Sequence, residues 1–214
     1  MNKITTIRKE YTLGQLNKAD LKGNPFVQFE TWLNNAYEAE VKEPNAMSIA
    51  TVNSNGQPSN RMVLLRGFSE NGFIFYTNYL SNKGKALASN NKVAILFFWD
   101  ALQRQIRIEG KCEKVSAKQS SEYFNSRPFE SRVASTVSPQ SAFIENRRIL
   151  DDKFKSELKK ALQKKEMERP EHWGGYIVKP NLFEFWQGRK SRLHDRFVYT
   201  KKDNNNWLIK RLAP

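Results

Sequence analysis

One cysteine and two histidines stand in 214 residues, and that scarcity removes much chemistry. Cys112 has no partner for an intramolecular disulfide and cannot build a thiolate metal site, which fits a reducing cytoplasm. His172 and His194 lie far apart in no metal-ligand spacing, so no metal is expected. No apolar run approaches a membrane span, and the longest, Val93 to Trp99, is the size of a strand. Met1 to Glu10 lacks the apolar stretch of a secretory signal. There is no Gly-x-Gly-x-x-Gly, no P-loop and no strand–helix–strand alternation, so a Rossmann-type nucleotide fold is not expected. These absences predict a cytoplasmic protein without membrane contact.

The residues that are present can build a core. Apolar types make up 39% and aromatics 12% of the chain, too much for global disorder. Lysine and arginine total 36 against 22 acids, a net charge of +14. That excess points to an anionic partner: nucleic acid, an anionic surface or a small phosphorylated ligand. The lysines from Lys153 to Lys165 read as the solvated face of a helix.

Residues 1–23 are polar and read as an arm. Residues 24–214 read as one domain. Asn24-Pro25 opens a helix, with Phe26, Phe29, Leu33, Ala36 and Tyr37 at helical spacing. The middle of the chain is β. Met47–Val52, Arg61–Phe68 and Phe73–Thr77 are separated by Asn55-Gly56 and Asn71-Gly72 turns. A short helix covers Lys83–Ser89, and the strands Val93–Trp99 and Gln103–Val115 follow. Ser116-x-x-Gln119 starts a helix that ends before Pro128. A longer helix runs from about Ala142 to Lys165. Trp173–Val178, Leu182–Trp186, Phe197–Thr200 and Trp207–Leu212 return to β, the last two around a turn at Asp203–Asn206. The order predicts a mainly β, α+β fold: a small barrel with flanking helices.

Five clusters can carry chemistry. Arg61 and Arg66 are five apart on one strand and face opposite ways unless a bulge intervenes; the plain alternative is a pair of edge arginines. Tyr123 and Arg127 stand at i,i+4 near a helix end with Ser131 just after. They could clamp a phosphate, or pack and cap the helix. Gln140-Ser141 before a helix could receive an anion or serve as a simple cap. Trp186 to Arg196 packs an aromatic, a glycine, three arginines, a lysine and His194 into eleven residues, a segment suited to a flat anionic ligand. Arg8 and Tyr11 lie in the arm, where a disordered tail is the plain reading.

Together these segments closely resemble the pyridoxine (pyridoxamine) 5′-phosphate oxidase family. The resemblance is carried by Arg61-Met-Val-Leu-Leu, Phe75-Tyr-Thr-Asn, Tyr123-Phe-Asn-Ser-Arg-Pro128, Trp173-Gly-Gly, Phe185-Trp-Gln-Gly, Arg192-Leu-His-Asp-Arg-Phe197 and the terminal Arg211-Leu-Ala-Pro214. It implies an FMN-binding split β-barrel and a homodimer with FMN at the subunit interface. Arg61, Met62, Val63, Leu64, Leu65, Arg66, Tyr76, Thr77, Asn82, Lys83, Gln105, Gln140, Ser141, Trp186 and Arg196 would form the FMN site. Arg66, Tyr123, Arg127 and Ser131 would grip the substrate phosphate. Arg192 and His194 would cover the substrate ring as the catalytic pair, and Arg8 and Tyr11 would close over it.

The sequence departs from the family at a few positions. Arg66 stands where lysine is common, and Asn82 where an arginine often is. Asn17 and Lys18 replace arginines found in some relatives. The implied activity is oxidation of pyridoxamine or pyridoxine 5′-phosphate to pyridoxal 5′-phosphate, with dioxygen as acceptor and no nucleic acid as partner. Two readings compete: a nucleic-acid-binding protein, which the charge of +14 would suit, and a non-oxidase FMN-binding split barrel. The split barrel would have no need of Tyr123, Arg127, Ser131, Arg192 and His194 together.

Overall fold

The computed structural model describes residues 10–164, 167–202 and 206–214. Arg8 lies outside them, as do Lys165 and most of the Asp203–Asn206 turn. The described chain is mainly β, as expected from the sequence, with five α-helices, one more than the sequence suggests. In chain order the strands are β1 (Ala46–Val52), β2 (Pro58–Leu64), β3 (Gly67–Ser69), β4 (Gly72–Asn78), β5 (Lys92–Trp99), β6 (Arg104–Lys114), β7 (Trp173–Gln187), β8 (Asp195–Lys201) and β9 (Trp207–Leu212). The helices are α1 (Pro25–Glu38), α2 (Asn82–Ser89), α3 (Ala117–Ser126), α4 (Phe129–Val137) and α5 (Arg147–Lys164). The strands form one sheet in the order β2-β1-β5-β6-β7-β4-β3, with β8 on β7 and β9 on β8.

The chain divides into two compact units. One holds residues up to Ile49, Ala94–Gly110 and Pro180–Pro214; the other holds Ala50–Val93 and Lys111–Lys179. In the first unit, α1 starts where the sequence says it should. The Asn24 side chain accepts the Phe26 N–H and Pro25 occupies the first turn. Its buried face is aromatic: Phe26 meets Phe183, Phe29 meets Phe97 and Trp32 meets Phe185, with ring centroids 5.1–5.2 Å apart. Tyr37, placed on that face by spacing, is exposed. In the second unit, β4 pairs antiparallel with β7, Tyr76 opposite Gly175 and Phe75 opposite Tyr176. Phe75, Phe124 and Val133 are fully buried there.

Several elements differ from the sequence expectation. The strand expected over Arg61–Phe68 begins at Pro58 and breaks after Leu64. Leu65 turns into the core, and the Arg66 N–H donates to the Ile74 carbonyl. The expected strands Trp173–Val178 and Leu182–Trp186 are one strand, β7. Pro180 is tolerated because it falls between the stretch paired with β4 and the stretch paired with β8, where its missing N–H costs neither ladder a bond. Helix α4 follows Pro128 directly, since a proline that ends one helix also suits the entry to the next. Helix α5 starts at Arg147, not Ala142. Asn146 accepts the Ile149 N–H as its cap, and Ser141 takes a left-handed φ of 72°.

Candidate active site

A cavity of about 430 Å³ opens in the second unit. Its wall brings together Met62, Val63, Leu64, Arg66, Tyr76, Thr77, Lys83, Tyr123, Arg127 and Gln140, all expected at the site, with Asn78, Ser135, Ser138 and Trp173 beside them. Three of these side chains are cationic and none is acidic. Leu65 points the other way, into the core. Arg61 lies on β2, where its guanidinium donates to Thr51 Oγ1 at 2.8 Å and to Ser59 Oγ. Its charge acts on Lys83.

Lys83 is the most constrained of the cations. It lies in the first turn of α2, whose cap Ser81 accepts the Gly84 N–H. Its Nζ donates to Thr77 Oγ1 at 2.9 Å and to Gln140 Oε1 at 3.1 Å, and Ser81 Oγ lies at 3.5 Å. All three partners are neutral, and the residue is 8% exposed. Burial, and then the charge of Arg61, lowers its pKa to about 8. A buried ammonium held only by neutral oxygens is costly until an anion joins it. Such an ammonium favours a bound anion, and a phosphate is one that would serve.

Part of the lining is aromatic. Tyr76 and Tyr123 stack with centroids 3.8 Å apart and planes 16° apart. Trp173 lies nearly parallel to both rings, at 5.6 Å from Tyr76 and 6.2 Å from Tyr123. The Arg127 guanidinium sits 4.7 Å over the Trp173 ring and donates to Ser135 Oγ. Arg127 does not share a helix face with Tyr123, because it terminates α3 with extended backbone, ψ 152°. Trp173 joins the two instead. Burial lowers the Arg127 pKa; Tyr123 opposes that shift and Arg66 adds to it.

Three expected residues stand apart from this wall. Ser131 is on α4, where its carbonyl accepts from Ser135 Oγ, and Ser135 rather than Ser131 lines the cavity. Asn82 opens α2 and is exposed. Ser141 is exposed and precedes an irregular segment, so Gln140-Ser141 is no helix N-terminus. Gln140 contributes through its side chain, whose Oε1 accepts from Thr77 and Lys83.

The remaining candidates belong to the first unit. Trp186 and His194 have ring centroids 4.6 Å apart, and Tyr11 meets both edge-on at 5.7 and 5.8 Å. His194 Nδ1 accepts the Arg189 backbone N–H at 3.1 Å. Burial, then the charges of Arg192 and Arg196, lowers the His194 pKa. Arg196 is fixed by Glu184 Oε1 at 2.7 Å and the Ala213 carbonyl at 2.9 Å. Arg192 is exposed with φ 60°, just after Ser191 at 55°; two successive left-handed non-glycine residues mark a shaped turn. Gln105 is half-buried on β6.

The arm is held by two side chains that carried no binding signal of their own in the sequence. Gln103 Oε1 accepts the Thr12 and Leu13 N–H groups, and Asp195 accepts from Leu16, Arg189 and Arg211. Trp173 and Gly188 signalled themselves only as motif members. A Cβ on Gly188 would lie 2.8 Å from the Tyr11 ring.

Comparison with known proteins decides what this arrangement belongs to. Residues 33–159 match the family model described as pyridoxamine 5′-phosphate oxidase. The chain belongs to the pyridoxamine 5′-phosphate oxidase family. Residues 173–214 match that family's pyridoxine 5′-phosphate oxidase C-terminal dimerisation region. As a member the chain is an oxidoreductase. It is 53% identical over 211 residues to the pyridoxine/pyridoxamine 5′-phosphate oxidase of Gloeothece citriformis, covering 99% of this chain and 98% of that one. It is 50% identical to the protein of that name from Polynucleobacter asymbioticus, covering 100% of both.

Solved structures share the fold. PhzG from Burkholderia lata, crystallised with tetrahydrophenazine-1-carboxylic acid, superposes with a TM-score of 0.87 at 28% identity, over 94% of this chain and 99% of that one. An FMN-binding, pyridoxamine 5′-phosphate oxidase-related protein from Nostoc punctiforme reaches 0.69 at 18% identity, over 89% and 97%. No helix among the described residues is long and apolar enough to cross a membrane.

Proposed function

We propose that the chain is an FMN-dependent oxidase converting pyridoxamine or pyridoxine 5′-phosphate to pyridoxal 5′-phosphate, and that it works as a homodimer with FMN at the subunit interface. One observation carries this reading: an acid-free cavity lined by stacked aromatic rings, Arg66, Arg127 and a buried Lys83 with neutral partners only. A flat ring with a phosphate tail fits such a lining.

In this reading FMN supplies the hydride acceptor, which dioxygen reoxidises with release of hydrogen peroxide. Arg61 and Lys83 hold its phosphate. Met62 to Arg66, Tyr76, Thr77, Asn82, Gln140 and Ser141 shape its bed, and Gln105, Trp186 and Arg196 are assigned to it as well. Arg66, Tyr123, Arg127 and Ser131 take the substrate phosphate. Binding energy gathered there, remote from the reacting carbon, orients the C4′ group of the substrate. Arg192 and His194 cover the substrate ring, and Arg8 and Tyr11 close the site against water. For the amine substrate, hydrolysis of the product imine frees ammonia. The reaction forms pyridoxal 5′-phosphate from its B6 precursors, a salvage step suited to the cytoplasm.

The test is anaerobic. Pyridoxamine 5′-phosphate added to the flavin-loaded protein bleaches the visible flavin absorbance, and air restores it. Flavin that stays oxidised with both B6 phosphates overturns the proposal.

A further inference from the structure

We infer that His194 acts as a hydrogen-bond donor through Nε2–H, locked in that tautomer by the backbone N–H of Arg189, and not as a proton acceptor. The inference deepens the reading above, in which His194 covers the substrate ring, and rests on it for the role but not for the tautomer.

A backbone amide nitrogen has one fixed hydrogen-bonding role. Its N–H only donates, so the 3.1 Å contact from Arg189 N to His194 Nδ1 requires a lone pair on Nδ1. In a neutral imidazole the proton then sits on Nε2. An imidazolium would set two donors against each other and add a third positive charge to those of Arg192 and Arg196, which already disfavour it.

The Arg189 N–H is not free to turn away. The Arg189 side chain donates to Asp195 Oδ2 at 3.1 Å and to Gln15 Oε1 at 3.4 Å. On one side the Gly188 N–H donates to the Gln103 carbonyl at 2.8 Å, and on the other Leu193 N–H closes onto the Lys190 carbonyl at 3.1 Å. The ring of His194 is held by Trp186 and the edge of Tyr11. The nitrogen left for a ligand is therefore Nε2, and it carries the proton. Its natural acceptor is an oxygen on the ligand ring; the phenolate oxygen next to C4′ of a B6 phosphate has that chemistry. The interaction moves no proton.

Two measurements test it. With two histidines in the chain, ¹⁵N NMR of the histidine-labelled, FMN-loaded protein gives two ring signal pairs, and His172→Asn identifies which is which. Nδ1 of His194 unprotonated and Nε2 protonated near neutral pH is the expected result. An Nδ1–H tautomer or an imidazolium overturns the inference. In turnover, His194→Gln keeps an N–H donor but cannot take a proton. It should lose less than about tenfold in kcat, the scale of one perturbed hydrogen bond, whereas His194→Ala should lose clearly more. Equal losses in the two variants overturn the donor role. A parent protein that does not turn over either B6 phosphate overturns the functional reading instead, and the spectrum still decides the tautomer.

Discussion

Lys83 and Arg127 are the single residues at which the proposed division of the cavity can be tested. The Lys83 pKa falls from 10.5 to about 8 on folding. Between those values the unfolded chain binds a proton that the folded chain has released, so the flavin-free protein gains stability as pH rises through that window. Below about 8 the full penalty of the buried ammonium is present. A bound phosphate reverses the preference, because it favours the charged form. FMN affinity should therefore fall as pH rises above about 8, read by fluorescence titration. A flat profile from pH 7 to 10 would contradict this account of Lys83.

The two phosphates should also separate by mutation. Arg127→Ala should raise the apparent KM for pyridoxamine 5′-phosphate by roughly 30-fold or more, since losing one partner of a buried charge pair costs about 2–5 kcal/mol, while flavin content stays near that of the parent. Arg61→Ala should do the reverse and regain activity in excess FMN. Flavin loss in Arg127→Ala sinks the division. Lys83, Tyr123 and Arg127 were named through the family resemblance, since spacing alone left packing and helix capping open for Tyr123 and Arg127, and the fold brings all three to one cavity. Trp173 was not named as a site residue: a tryptophan before Gly-Gly looks like core, and only tertiary packing lays it against Tyr123 and Arg127. Asp195 was hidden for a related reason, since its partner Leu16 lies 179 residues away.

At the level of elements, local rules succeeded where a side chain caps a helix, as at Asn24 and Ser116. They failed where the same residue suits two outcomes. Pro128 suggested an end but also opens α4. The Trp-Gly-Gly motif gains its meaning from β4. A Cβ on Gly175 would lie 2.7 Å from Val115 Cγ2 and 2.8 Å from Tyr76 Cε1, closer than packed atoms tolerate. Gly175→Ala should thus push the Tyr76 ring off Tyr123 and cost about 1–3 kcal/mol of stability. Thermal melting and flavin titration both report it; a variant unchanged in both would show that the strand can yield without disturbing the cavity.

For the whole molecule, the charge of +14 suits the proposed chemistry of anions. A cofactor phosphate and a substrate phosphate are both assigned to clustered cations. Flavin at a hundredfold its dissociation constant should add about 2.7 kcal/mol to stability, so stripping FMN should lower the melting temperature and adding it back should restore it. Light scattering of the flavin-loaded protein should give twice the mass of the chain, in keeping with the dimerisation region at residues 173–214; a monomer would contradict the shared site. The central claim is the oxidation itself. The most direct measurement is simultaneous detection of pyridoxal 5′-phosphate and hydrogen peroxide when the FMN-loaded protein meets pyridoxamine 5′-phosphate in air. The account predicts equal amounts of the two products, appearing together. A protein that holds flavin yet forms neither product from the amine or the alcohol phosphate would contradict it.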